Sequence, residues 1–160
     1  MLVVTLDALA YDRTDEEQVP AARQPIPDSQ RIYEALYARF SGRIIILGDS
    51  SIQANMLEQW AKREGYKFAH VDTARGKEPK DIRDRVRDIN AAYGKIEWFV
   101  DVNPETVRLV MQDAIPSLLV CLPNFVRPEW RDNGPRERKV WTDLTREIEV
   151  QSLYRNTGSE

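Results

Sequence analysis

The sequence predicts a doubly wound α/β domain built on a five-stranded parallel sheet, and three observations predict it. Short apolar runs rich in Val, Ile and Leu recur at 2–6, 43–47, 68–71, 97–100 and 117–121. They are too short for helices and read as strands buried on both faces. Between them lie segments of helical period, so strands and helices alternate as βαβ units with right-handed crossovers. The first run also ends directly on a carboxylate, Asp7. The carboxyl ends of strands are where open α/β sheets hold their ligands. The expected strand order is 3-2-1-4-5, which makes the first and fourth strands neighbours at the topological switch point.

Residues 8–27 follow the first strand with three prolines, Pro20, Pro25 and Pro27, and no periodicity, so an irregular excursion is expected. Leaving from the ligand edge, it is positioned either to cover a site or to lie as a surface loop. Asp28 is an N-cap candidate for a helix to about residue 40, with Ile32, Leu36 and Phe40 on one face and Gly42 as its stop. Gly48, Asp49, Ser50 and Ser51 then break the second strand and cap a helix over 52–64, whose stripe is Ile52, Met56 and Trp60. A polar loop at 72–79 leads to the strongest helical period, Ile82, Val86, Ile89 and Tyr93, closed by Gly94. The fourth strand ends on Asp101, and Asn103-Pro104 starts a helix to about residue 113, with Asn as cap and Pro at the first helical position. Residues 123–140 read as irregular, 141–153 as a last helix, and 154–160 as a tail. A single domain over 1–153, without a large cap domain, is the expected organisation.

A chain of 160 residues with 42% hydrophobic and 31% charged residues suits one globular domain with a sizeable core. The net charge of −3 gives no argument for nucleic acid or an anionic membrane. The one cysteine, Cys121, rules out an internal disulfide and is expected as a buried, inert thiol in a reducing compartment. No apolar segment reaches the ~18 residues of a membrane span. No signal-peptide pattern precedes Asp7, so a cytoplasmic setting is expected. Six basic against four acidic side chains at 123–146 leave a net of +2, too little to imply nucleic-acid binding. Trp130 and Trp141 in that stretch either stack on a partner or pin the segment back onto the domain.

The candidate chemistry lies at the switch point. With one histidine and one cysteine in the chain, a nitrogen- and sulfur-ligated metal is disfavoured. An oxygen-ligated Mg²⁺ held by Asp7, Asp101 and Glu105 fits better, because Mg²⁺ needs few carboxylates and keeps its waters. Helix N-termini at 48–51 and 103–106 would aim backbone N–H groups at the same edge and suit a phosphate. Lys77 and Lys80 would supply balancing charge. The plain alternative is that both aspartates merely end strands and cap turns. Glycine-rich dinucleotide and P-loop fingerprints are absent. The lone His70, inside a strand, is expected as a packed core residue, so no Ser-His-Asp arrangement is suggested.

The order of these parts resembles the haloacid dehalogenase (HAD-like) superfamily, and in particular its small bacteriophage-encoded members. Asp7 in Val-Thr-Leu-Asp-Ala-Leu matches the nucleophile of the first motif, and Ser50 in Ile-Leu-Gly-Asp-Ser-Ser is the best match to the second. Lys77-Glu-Pro-Lys80 echoes the lysine motif out of register, and Asp101-Val-Asn-Pro-Glu105 matches the acidic fourth motif. Residues 124–144 are similar to the C-terminal segment of the phage proteins. The resemblance implies a Mg²⁺-dependent phosphohydrolase with a phosphorylated small molecule as substrate, in a host cytoplasm. One departure bears on activity: Leu9 stands where active phosphatases of the superfamily carry a second Asp as general acid/base. Its loss, in a role typically contributing about 10²- to 10⁴-fold, leaves either a slow enzyme or an inactive relative. Two other readings remain: a non-catalytic binding or assembly module with a protein partner, and a PIN-like metal-dependent nuclease drawing further acids from Asp49 and Asp72.

Overall fold

A computed structural model describes residues 1–11, 23–26 and 29–121. The chain divides into two compact units, Met1–Val120 and Cys121–Glu160. The first contains the fold described here. The expected irregular segment 123–140, the last helix, Trp130 and Trp141 all lie outside the described residues.

Seven strands and four α-helices are present among the described residues: β1 (Leu2–Thr5), β2 (Ala10–Tyr11), β3 (Gln24–Pro25), α1 (Ser29–Arg39), β4 (Ile44–Gly48), α2 (Ala54–Arg63), β5 (His70–Thr73), α3 (Pro79–Tyr93), β6 (Trp98–Asp101), α4 (Pro104–Gln112) and β7 (Ser117–Leu119). Five strands form one all-parallel sheet in the order β5-β4-β1-β6-β7. The labels differ from the expected 3-2-1-4-5 because the excursion after β1 contributes two short strands of its own. These pair antiparallel, Ala10 with Pro25 and Tyr11 with Gln24, where the prolines predicted no regular structure. Pro25 is tolerated because a two-strand ribbon is all edge. The adjacency that matters for a site, β1 beside β6, is present, with Val3 opposite Phe99 and Val4 opposite Val100.

Alternation along the strands divides the core into two layers. Leu2, Val4, Ile44 and Ile46 face α1 and α2, against Tyr33, Leu57 and Trp60. Val3, Ile45, Leu47 and Phe99 face α3 and α4, against Ile82, Val86, Ile89 and Val110. Burial on both faces explains why β1 and β4 read as unbroken apolar runs.

The helix faces depart from expectation in two places. On α1 the buried face carries Ser29 and Tyr33, while Ile32 is 65% exposed. Tyr33 wins that position because its ring meets Tyr66 edge-on and its hydroxyl donates to the Lys67 carbonyl. On α2 the stripe is Leu57, Trp60 and Ala61, with Met56 exposed. The helix starts at Ala54 because 49–51 form a turn in which Asp49 accepts from the Ser51 backbone N–H at 2.7 Å. β5 begins at His70, two residues later than the pattern suggested. That shift places His70 at the exposed start of the strand, where Nε2 meets the Tyr93 hydroxyl at 3.0 Å. Cys121 is exposed as well, because the edge strand β7 ends at Leu119. Among the described residues no helix is long and apolar enough to cross a membrane.

Candidate functional site

β1 ends at the switch point in a single 3₁₀ turn, Leu6–Ala8, which lifts Asp7 out of the sheet while Leu6 and Ala8 stay buried. Beside it, β6 carries Asp101 as its last residue, 4% exposed. Thr5 lies two residues beyond Val3, and Asp101 two beyond Phe99, so strand alternation sends both side chains toward the same face. There the Thr5 hydroxyl donates to Asp101 Oδ1 at 2.7 Å, and the Val102 N–H donates to the same oxygen at 2.8 Å. Burial pushes the Asp101 carboxyl above the usual carboxylate range, and the neighbouring charge of Asp7 pushes the same way. The donors, Thr5 and the backbone N–H groups of Val102 and Asn103, oppose that rise without cancelling it.

A small cleft of about 40 Å³ opens here, lined by Thr5, Asp7, Asp49, Lys77, Asp101 and Asn103 among others. A water requires roughly 10–15 Å³ on such a measure. The cleft therefore admits an ion or a few waters, and a larger ligand would sit at its mouth. Lys77 reaches it through the 72–79 loop. That loop is tied to the β4 end by the Ser50 N–H, which donates to the Gly76 carbonyl at 3.3 Å. Gly76 itself lies against Asp81, whose carboxylate would clash with any Cβ there. Asp81 is fixed in turn by the capping box at the start of α3, accepting from the Glu78 N–H at 3.1 Å.

The structure thus brings Asp7, Asp101 and Lys77 into one cleft, and leaves three other candidates outside its lining. Ser50 is exposed and contributes its backbone to the loop contact. Lys80 is exposed on the first turn of α3. Glu105 is exposed on α4 and chelated by Arg108 at 2.9 and 2.5 Å, which holds its carboxyl below the usual range. An i, i+3 partner on its own helix takes this acid away from the switch point. The α4 N-terminus is formed as expected, Asn103 accepting from the Glu105 and Thr106 N–H groups at 2.9 and 3.4 Å. The helix N-terminus expected at 48–51 is absent, since α2 begins only at Ala54. Of the two acids considered for a nuclease, Asp49 lines the cleft. Asp72, buried on β5, is held by Arg85 Nη2 at 2.7 Å to both oxygens.

Two site residues escaped the sequence reading. Thr5 looked like one more β-branched strand residue. Arg23 sat in an aperiodic, proline-flanked stretch with no local signal. In the structure its Nη1 donates to Asp7 Oδ1 at 2.9 Å and its Nη2 to Ser51 Oγ at 2.9 Å. Its carbonyl accepts from Trp60 Nε1 at 3.0 Å. Leu9, the departure from the phosphatase pattern, is 4% exposed within the α1/α2 core layer.

For Mg²⁺, the fit is confined to two or three oxygen donors. Asp7 and Asp101 face one cleft with Asp49 nearby, and mutual repulsion of the carboxylates is what a cation would relieve. The described residues contain no group of three or more His, Cys, Asp or Glu close enough to hold a metal by themselves. Such a site would rely on water and substrate oxygens for the remaining positions, as Mg²⁺ sites commonly do. A larger cavity, about 620 Å³, opens at the opposite, amino-terminal edge of the sheet among Met1, Arg43, His70, Tyr93, Lys95 and Glu97. It lies at the edge away from the switch point and contains neither Asp7 nor Asp101. Compared with known proteins, the chain matches no protein-family model and no curated protein.

Proposed function

We propose that this chain is a HAD-like domain of the phage type whose switch-point cleft binds a phosphorylated ligand with Mg²⁺. Its hydrolysis is at most slow. The observation that carries this reading is the convergence of Asp7, Asp101 and Lys77 on one cleft at the carboxyl ends of β1 and β6. Asp7 and Asp101 would hold the cation, which supplies neutralising charge for phosphoryl oxygens. Asp7 Oδ attacks phosphorus, the ester P–O bond breaks, and the leaving oxygen departs with the electron pair. Water then releases phosphate from the acyl phosphate. Lys77, which lines the cleft, would neutralise charge on the transferring group. The position at which the superfamily's phosphatases carry the acid that protonates the leaving oxygen is here a buried leucine, Leu9. Without an acid at that position the leaving oxygen would draw its proton less efficiently, and turnover would be slow.

A second reading, a phosphate-binding module without turnover, is favoured by two features. Leu9 is in the core, and the Asp7 carboxylate is engaged by Arg23 rather than presented to the cleft alone. One experiment separates the readings. Purified protein is incubated with a generic aryl phosphate with and without Mg²⁺, alongside Asp7→Asn. Mg²⁺-dependent turnover abolished by Asp7→Asn supports the enzyme. Turnover indifferent to Asp7→Asn, or none at all, removes it.

A further inference from the structure

We propose that the cavity at the amino-terminal edge of the sheet binds a nucleoside monophosphate, with its base on the Tyr93 ring and its phosphate on Arg43 and Lys95. This cavity shares no lining residue with the switch-point cleft, so the inference stands apart from the phosphate reading above.

The cavity lies where the chain enters its parallel strands, and backbone hydrogen bonds fix its walls. The Leu2 N–H donates to the Arg43 carbonyl at 3.0 Å, the Ala69 N–H to the Ile44 carbonyl at 2.8 Å, and the Glu97 N–H to the Met1 carbonyl at 2.7 Å. Gly94 turns the chain out of α3 at a φ of +99°, which glycine adopts without a Cβ penalty. The Ile96 N–H closes that turn on Asn90 Oδ1 at 2.9 Å, and the turn carries Lys95 to the cavity wall. Ile45 and His70 are register partners on β4 and β5, so both side chains leave the sheet on the α3 side. There the His70 ring meets Tyr93, with centroids 5.0 Å apart. The site is therefore preformed. Its volume of about 620 Å³ falls within the roughly 300–1,000 Å³ of small-molecule pockets.

The walls set the ligand chemistry. Met1 and Ile45 give an apolar floor, and Tyr93 stands beside it 52% exposed. A large aromatic ring left in water at a cavity wall is a stacking platform, and every nucleobase has a face to lay on it. Two side-chain cations, Arg43 and Lys95, line the cavity with one carboxylate, Glu97. Glu97 Oε1 meets the Met1 ammonium at 2.5 Å and takes only Nη2 of Arg43, at 3.2 Å. Among the described residues, the other N–H groups of that guanidinium and the Lys95 ammonium have no hydrogen-bond partner. A guanidinium and an ammonium together suit phosphate oxygens, and a phosphate dianion matches two cations. An uncharged ring would leave both cations unused, and bare phosphate would leave the ring unused. A nucleoside monophosphate answers both.

The test follows His70, the one histidine of the chain, whose imidazole signals in the NMR spectrum of isotope-labelled protein report on this cavity. AMP titrated in chelator shifts them saturably. Ribose 5-phosphate lacks the base and adenosine lacks the phosphate, and each binds about tenfold more weakly, the size of one stacked base or one charged hydrogen bond. By calorimetry, Arg43→Gln, Lys95→Gln and Tyr93→Leu each weaken AMP binding about tenfold. Tyr93→Phe loses the hydroxyl contact with His70 and keeps the ring, so its affinity stays within about twofold of wild type. All three positions are exposed, and circular dichroism checks that each variant folds. His70 signals that stay in place at about 1 mM AMP overturn the inference. If calorimetry still detects AMP in that case, the nucleotide sits elsewhere and the switch-point reading is untouched. AMP affinity unchanged in Arg43→Gln and Lys95→Gln, unchanged in Tyr93→Leu, or matched by ribose 5-phosphate, overturns it equally.

Discussion

Thr5→Val isolates the physics of the switch point with almost no change of shape. The hydroxyl donates at 2.7 Å to a carboxylate that is 4% exposed, and Thr5 itself is 5% exposed. A hydrogen bond to a charged group stabilises by about 1.5–3 kcal/mol. The valine methyl returns roughly 0.8 kcal/mol of apolar burial. The net loss is therefore about 1–2 kcal/mol while Asp101 is ionised. When Asp101 is protonated the lost bond is a neutral one worth about 1 kcal/mol, and the variant becomes nearly isoenergetic with wild type. The sign follows from the direction of the shift. The folded pKa of Asp101 lies above its unfolded value, so the native state holds the extra proton and stability falls as pH rises across the window between them. That window opens near 3.9, the usual Asp value, and closes above the raised folded value. Thr5 limits the fall, and its removal deepens it. Urea unfolding of wild type and Thr5→Val in chelator, from pH 4 to pH 8, should show a gap that grows with pH to about 1–2 kcal/mol. A gap of the same size at both ends of the range would refute the assignment of Thr5 as a donor to an ionised, buried Asp101.

Leu9→Asp does not restore a phosphatase: it places a carboxylate in the α1/α2 core layer, and destabilisation of more than about 3 kcal/mol is expected by chemical denaturation, with no gain in turnover. Gly76→Ala drives a Cβ into the Asp81 carboxylate, loosening the α3 capping box. A loss of about 1 kcal/mol is expected, with weaker phosphate binding as Lys77 moves from the cleft. Asp113→Asn removes the negative charge and one of the two acceptor oxygens that Arg83 grips at 2.7 and 2.8 Å between α3 and α4. Arg83 holds the Asp113 carboxyl below its usual range, so this contribution is present above about pH 4 and is lost as pH falls through the folded value. The variant should be less stable than wild type at pH 7 and match it in acid, as read by thermal melts across that range.

Much of the fold was legible because burial writes itself into a parallel strand. Leu2–Thr5 and Ile44–Gly48 are apolar on both faces, and α3 repeats Ile82, Val86 and Ile89 at a spacing only a helix uses. Asn103-Pro104 announced α4 through cap chemistry that depends on local backbone alone. The placement of Asp7 and Asp101 beside one cleft followed from two strand ends and the switch-point rule. What local pattern could not carry was partner choice. Tyr33 rather than Ile32 is buried because Tyr66 and the Lys67 carbonyl, more than thirty residues away, complete its site. Glu105 read as a metal ligand by position, and Arg108 on the same helix captures it. Thr5 became a donor only when the β1–β6 register set it against Asp101, and Arg23 became a site residue only when the β2–β3 pairing set it beside Asp7. Periodicity and caps are properties of a few neighbouring residues, and the sequence by itself determined those. Which charges meet depends on contacts between segments distant in the chain, and that only the tertiary structure decided.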